Sequence, residues 1–107
     1  MILVTTPGVP DRRIGAVLGL VRGNTIRGRH VGRDFQAVLR NMAGGEIKEY
    51  TKMMAEAREQ AIDRMVDEAN ALGADAIIAL RFQTCEVMKG AAEMLCYGTA
   101  VTLRPEE

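Results

Sequence analysis

Residues 46–72, EIKEYTKMMAEAREQAIDRMVDEANAL, are the segment that decides the fold. Apolar residues recur in it at steps of three and four, which is the spacing of one face of an α-helix. Glu46 and Glu49 favour the positive N-terminal end of a helix, and Gly73 favours its termination. The pattern predicts one long helix, and its apolar face comprises Ile47, Tyr50, Met54, Ala57, Ala61, Met65, Ala69 and Leu72.

This helix is long for the chain that carries it. Its 27 or so residues span roughly 40 Å at about 1.5 Å per residue, whereas a compact chain of this length forms a sphere about 34 Å across. The small side chains of Ala57 and Ala61 allow the helix to lie close to a sheet, while Met53, Ile62 and Val66 add a second apolar edge. We therefore expect the helix to contact more than its own sheet, which favours an oligomer.

Two apolar, β-branched segments follow the helix, at 76–85 and 94–103, and both are typical of strands. Alternation gives each strand two faces. In the first strand, the predicted faces are Ile78, Leu80 and Phe82 against Arg81, Gln83 and Cys85. In the second, they are Leu95, Tyr97, Val101 and Leu103 against Cys96, Gly98 and Ala100.

Matching the apolar faces of these strands predicts an antiparallel hairpin. Phe82 then opposes Thr99, and residues 90–91 form a two-residue loop with glycine first, as a type II′ turn prefers. This register also places Cys85 opposite Cys96. A shift of two residues would keep the faces and separate the two cysteines, so both registers remain open.

The first 45 residues suggest further short elements. Residues 2–6 and 13–21 have strand-like composition, the second being weakened by two internal glycines. A Gly- and Arg-rich loop is predicted over 22–32, with a short strand at 25–27, and Asp34 caps a predicted helix over 34–42. The whole pattern predicts an α+β fold in which a small, mainly antiparallel sheet packs on one long helix.

Composition limits the classes of function. With 107 residues, 14 basic and 14 acidic, the chain is one domain, 1–107, of average hydrophobicity. The net charge of zero combines +5 over residues 1–45 with −5 over residues 46–107, an asymmetry that favours either a basic ligand-facing surface or mutually attracting faces in an assembly. No segment is long and apolar enough to span a membrane, and residues 1–7 lack the basic and long apolar regions of a signal peptide, so we expect a cytoplasmic protein.

Cys85 and Cys96 are the candidate metal ligands. Two thiolates on one sheet face suit a soft metal ion, with Met88 and Met94 near the turn. A closed zinc site needs about four ligands, so one chain supplies half a site and a neighbouring subunit would supply the rest. The alternative is that both are small packing thiols without a ligand.

Arg27, Arg29 and Arg33 are the candidate ligand-binding residues, because they cluster around the single histidine, His30. They could dock an acidic partner or an anionic ligand. The stretch lacks the interleaved aromatic residues of single-strand binders, so nucleic acid is not expected. The two segments bounded by glycines, residues 19–23 and 28–32, do not match a phosphate-binding loop. The chain contains no serine, and no Cys–His pair has a supporting context, so no enzyme is predicted.

The order of several short motifs resembles the YbjQ-like family of small uncharacterised bacterial and archaeal proteins, which carry a heavy-metal-binding label. The motifs that match are Thr5-Thr6, Leu18–Gly23, Arg33-Asp34, Gly44-Gly45, Tyr50, Glu56–Arg58, Ala61, Ala69, Leu72–Ile78 and Gly98–Val101. The strand at 79–83 departs from the family by carrying no carboxylate where acidic residues are common.

The resemblance implies a dodecin-subunit-like α+β fold assembled as a ring pentamer. We therefore predict a non-enzymatic cytoplasmic homo-oligomer that binds a heavy metal or a small ligand at subunit contacts. The alternative is a structural or partner-binding ring that docks an acidic partner or an anionic ligand through its Arg-rich segment. The cofactor is unspecified beyond a soft or transition metal ion.

Overall fold

The structure is a computed structural model in which residues 1–28, 44–88 and 91–105 are described. These residues form a small α+β fold with a mixed four-stranded sheet and one long helix. The elements in chain order are β1 (Ile2–Leu3), β2 (Ile14–Gly28), α1 (Gly44–Ala71), β3 (Ala76–Met88) and β4 (Ala91–Leu103).

The sheet has the strand order β1-β3-β4-β2. β1 pairs parallel to β3, while β4 lies between β3 and β2 and is antiparallel to both. β2 and β3 therefore run in the same direction at opposite sides of β4, and α1 connects them. The predicted long helix and mainly antiparallel sheet are confirmed, with α1 beginning two residues earlier than expected.

β2 differs from its prediction, because the Gly- and Arg-rich loop at 22–32 was expected to interrupt it. The strand instead continues unbroken to Gly28. Gly19 adopts φ 126° beside a bulge, and Gly23 faces the helix, so the glycines shape the strand without ending it. The predicted helix over 34–42 lies outside the described residues.

α1 packs mainly on β2 and to a lesser extent on β4. The two backbones approach most closely at Gly23, where an added Cβ would lie only 2.0 Å from the carbonyl oxygen of Ala61. Two side-chain hydrogen bonds also link β2 and α1: Arg27 donates to Gln60, and Arg64 donates to the carbonyl oxygen of Asn24. The core beneath the helix comprises Val21, Ala57, Ala61, Met65, Ala69, Ile77, Leu80, Met94, Cys96 and Ala100.

A smaller core lies on the opposite face of the sheet, at the end where β1 pairs. There Ala76, Ile78, Val101 and Leu103 are buried, and the N-terminal segment packs over them through Val4, Val9 and Ile14. The rest of this sheet face is not covered by any described residue of the chain.

The predicted register of the β3–β4 hairpin is wrong. Phe82 lies opposite Cys96, where Thr99 was expected, and Cys85 lies opposite Glu93. β3 ends at Met88 and β4 begins at Ala91, so the connection has the predicted two-residue length but lies one residue earlier in the chain than the predicted 90–91 loop. Irregularities at each end of the ladder then move the pairing further.

The irregularity near the base of β3 also corrects one strand face. Ala79 adopts φ 53°, and two residues, Ala79 and Leu80, occupy the space opposite Gly98. A side chain at Gly98 would collide with Ile77, so this bulge needs a glycine on the facing strand. As a result, Ile78 shares a face with Arg81, Gln83 and Cys85, while Leu80 and Phe82 lie on the helix side. The predicted faces of β4 are confirmed.

The chain is elongated. It measures 58 × 23 × 17 Å and its Cα radius of gyration is 17.3 Å, compared with about 13 Å for a compact chain of this length. No helix among the described residues meets the length and apolarity needed to cross a membrane.

Candidate functional site

The sheet face turned away from α1, which we call the open face, carries cross-strand rows of residues from β2, β4 and β3. One row is Arg22, Tyr97 and Arg81, and another, closer to the hairpin turn, is Ile26, Glu93 and Cys85. Leu20 is 61% exposed and Ile26 is 57% exposed on this face. Large apolar side chains and charged groups therefore stand side by side on a surface without cover from the described chain.

Cys85 is the exposed thiol of the chain. Its Sγ atom lies 3.9 Å from Oε1 of Glu93, directly across the hairpin. The other carboxylate oxygen, Oε2, accepts a hydrogen bond of 3.1 Å from Nδ2 of Asn24 on β2. Asn24 thus helps to hold the carboxylate between the two neighbouring strands, next to the thiol.

Cys96 lies on the other face of the sheet, fully buried against α1. Burial raises the pKa of its thiol above the ordinary value, because the charged thiolate loses hydration there. The thiolate is the form that binds metal. Cys96 is therefore a packing residue at neutral pH and is poorly suited to be a ligand.

The structure does not bring the two predicted metal ligands together, since the sheet separates Cys85 from Cys96. Among the described residues, no group of three or more His, Cys, Asp and Glu side chains is arranged to hold a metal ion. What the described residues bring together is one thiol and one carboxylate, and the second of these, Glu93, was not among the predicted ligands.

The predicted arginine cluster is only partly described. Arg27 is half-buried on the helix side of β2, where its Nη2 donates to Oε1 of Gln60 at 2.8 Å and its Nε is buried without a partner. Arg29, Arg33 and His30 lie outside the described residues. Arg27 is therefore engaged with its own helix, and docking of an anionic ligand by the three arginines stays a prediction.

Comparison with known proteins gives the chain its family. The sequence profile of the YbjQ family, described as "Putative heavy-metal-binding", matches residues 1–104. The chain belongs to the YbjQ family. Its relatives include the UPF0145 protein of Archaeoglobus fulgidus, which is 54% identical over 104 residues that cover 97% of this chain and 96% of the relative.

Further relatives span the whole domain as well. The UPF0145 protein of Methanococcus vannielii is 56% identical over 97% of this chain and 99% of its own. That of Thermosipho melanesiensis is 51% identical over 100% of this chain and 99% of its own. Neither the family description nor these names state an enzymatic activity, and the family is uncharacterised. The predicted membership is confirmed.

A solved structure shows the same fold. A crystal structure of a protein of unknown function from Pediococcus pentosaceus superposes with a TM-score of 0.62 over 97% of this chain and 98% of that chain. The two sequences are 17% identical, so the likeness concerns the fold alone.

Proposed function

We propose that this member of the YbjQ family is a non-enzymatic homo-oligomer, a ring pentamer, that binds a soft metal ion where its subunits meet. The observation that carries the metal proposal is the pair formed by Cys85 and Glu93 on the open face, 3.9 Å apart. Cys96 is left out of the site because it is buried on the opposite face.

The donor set supports a metal of the soft or borderline class. A thiolate selects ions such as Zn²⁺, Cd²⁺ or Cu⁺, and a carboxylate oxygen is a further ligand for Zn²⁺. Two donors from one chain fill half of a four-coordinate site. Since no third donor of the described chain stands beside them, the remaining ligands would come from a neighbouring copy. The description of the family names heavy metals, which are the same class of ligand.

The shape and surface of the subunit support the oligomer. A monomer with these dimensions leaves Val17, Leu20, Ile26 and Phe82 between 43% and 67% exposed. Val17, Leu20 and Ile26 lie along β2 on the open face and Phe82 lies on the helix side of β3, so apolar side chains are exposed on the two strands that flank β4, where a protein–protein contact would cover them. In a ring, each elongated subunit would bury part of its solvent-exposed surface against its two neighbours.

Metal uptake should depend on Cys85 and be indifferent to Cys96. Native mass spectrometry of the wild type with Zn²⁺ or Cd²⁺ should show bound metal, and Cys85→Ala should lose most of it because the soft ligand is gone. Cys96→Ala is the matched control, as it removes the other thiol from the buried face. Glu93→Gln should weaken uptake by about tenfold or more, since it replaces a charged ligand with a neutral one.

Equal uptake by the wild type and Cys85→Ala would refute the site. Loss of metal in Cys96→Ala with retention in Cys85→Ala would mean that Cys96, on the helix side of the sheet, is the ligand, and would also refute the site. The mass of the metal-free protein tests the oligomer independently of the metal site.

Light scattering at micromolar concentration should give several times the 11.7 kDa mass of one chain. A pentamer corresponds to five such chains, or about 58 kDa. A stable mass near that of one chain would contradict the oligomer, and a mass of two chains would contradict the ring.

A further inference from the structure

The distal part of β3, residues 81–86, is bare on both faces and along one edge. All six residues are exposed, and Phe82 is 43% exposed although it points to the helix side. Towards the base of the strand, the N-terminal segment covers the outer edge through Val4 N to Ile77 O, Leu80 N to Val4 O and Ala79 N to Thr6 O. Beyond Leu80, no described residue pairs its backbone with that edge.

At the opposite edge of the sheet, no described strand lies beside β2. β2 is a strand of 15 residues whose described backbone pairing is with β4 alone. Bulges distort its first part, up to Gly19, while the part from Leu20 to Gly28 is regular. An exposed regular edge is a template for pairing with another chain, and proteins usually block it with proline, lysine or a bulge. Neither proline nor lysine occurs in residues 20–28 or 81–86.

We propose that the outer edge of β3 at residues 81–86 pairs with the outer edge of β2 of a second copy, in a head-to-tail, parallel arrangement. This inference rests on the proposed oligomer and names the surfaces that form it. Because β2 and β3 run in the same direction at opposite ends of the strand order, copies placed side by side in one orientation bring these two edges together. Each copy then uses both edges, which is the condition for a closed ring.

The position of α1 favours this pairing over a symmetric contact between two β3 strands. The helix lies over β2 and β4 and leaves the helix side of distal β3 uncovered. In the head-to-tail arrangement, the neighbour's β2 brings its own helix beside that uncovered side, so Phe82 gains an apolar cover. A symmetric β3–β3 contact would join two uncovered strands, so neither Phe82 side chain would be covered by a helix.

Charge also suits the head-to-tail contact. On the helix side, Arg27, Ala92 and Glu86 form one cross-strand row. When two copies align without a shift, Glu86 at the edge of one lies level with Arg27 at the edge of the next. On the open face, Cys85 of one copy then lies level with Ile26 of its neighbour, because these two residues share a row with Glu93.

Cross-linking tests the contact directly. Ile26→Cys and Asn24→Cys each place a thiol on the β2 edge, on the same face as Cys85, and together they allow a register shift of two residues. Adjacent strands lie about 4.8 Å apart, which is within disulfide range. Diamide treatment of metal-stripped protein should therefore give a ladder of dimers, trimers and larger species with one of these variants. Val17→Cys is the control, exposed on the same face but roughly 20 Å or more along the strand.

A ladder from Ile26→Cys or Asn24→Cys, absent from Val17→Cys and the wild type, supports the contact. Dimers of the wild type through Cys85 would overturn it in favour of the symmetric arrangement. A multimeric mass by light scattering without any ladder would overturn the contact and leave the oligomer standing, whereas a monomeric mass would remove both.

A second variant tests the same surface without cross-linking. Residue 82 is exposed in an isolated copy, so the Phe82→Lys variant should keep its circular dichroism spectrum. In the proposed contact, however, the new charge would be buried. We expect the midpoint concentration for dissociation to rise by about tenfold or more. Gln83→Lys adds the same charge to the open face of the strand and should shift it much less. Equal effects of the two variants would contradict burial of Phe82 beneath the neighbouring helix.

Discussion

Replacing Gly23 by alanine is expected to lower the free energy of unfolding by about 3 kcal/mol or more, at the upper end of the cost of overpacking. A Cβ at this position would lie 2.0 Å from the carbonyl oxygen of Ala61 and 2.5 Å from the backbone nitrogen of Met65. Both neighbours are backbone atoms of α1, so no side chain can rotate away. The helix would have to lift from the sheet and loosen the core beneath it.

Chemical denaturation at a fixed protein concentration measures this effect, because the stability of an oligomer depends on concentration. Gly8→Ala is the matched control: it makes the same substitution where a Cβ would have no neighbour within 4 Å. It should change the midpoint by no more than a few tenths of a kcal/mol. A Gly23→Ala protein as stable as Gly8→Ala would show that α1 does not pack on β2 at this distance.

The sequence predicted the long helix and the two strands that follow it because their signals are local and repeated. The helix carries its apolar spacing over more than seven turns, and its alanines at 57 and 61 anticipated a close approach to the sheet. The antiparallel pairing of β3 with β4 was predicted as well, but its register was not. Register depends on loop length and on bulges, and the positive φ of Ala79 belongs to a residue whose type gives no sign of it.

The candidate site was predicted only in part for the same reason. Cys85 stood out as a soft ligand in the sequence, but its partner depended on the register. If the loop is placed at residues 89–90 and not at 90–91, Cys85 comes within one residue of facing Glu93. The irregularity between Glu86 and Met88 moves the register by one more residue and places Cys85 directly opposite Glu93. The separation of the two cysteines follows from parity, since moving a strand by an odd number of residues turns every side chain to the other face.

Met65→Ala is expected to lower the free energy of unfolding by about 2–5 kcal/mol, the range for removing a large buried side chain. Met65 is fully buried at the centre of the helix–sheet core and is among its largest side chains. Its neighbours cannot close the cavity easily, because the contact of α1 with Gly23 already fixes the distance between helix and sheet. Met65→Leu preserves most of the volume and should cost less than about 1.5 kcal/mol.

Equal midpoints for the two variants in chemical denaturation would mean that α1 settles freely onto the sheet. That result would also remove the physical basis for the expected effect of Gly23→Ala, since both predictions depend on the same rigid spacing.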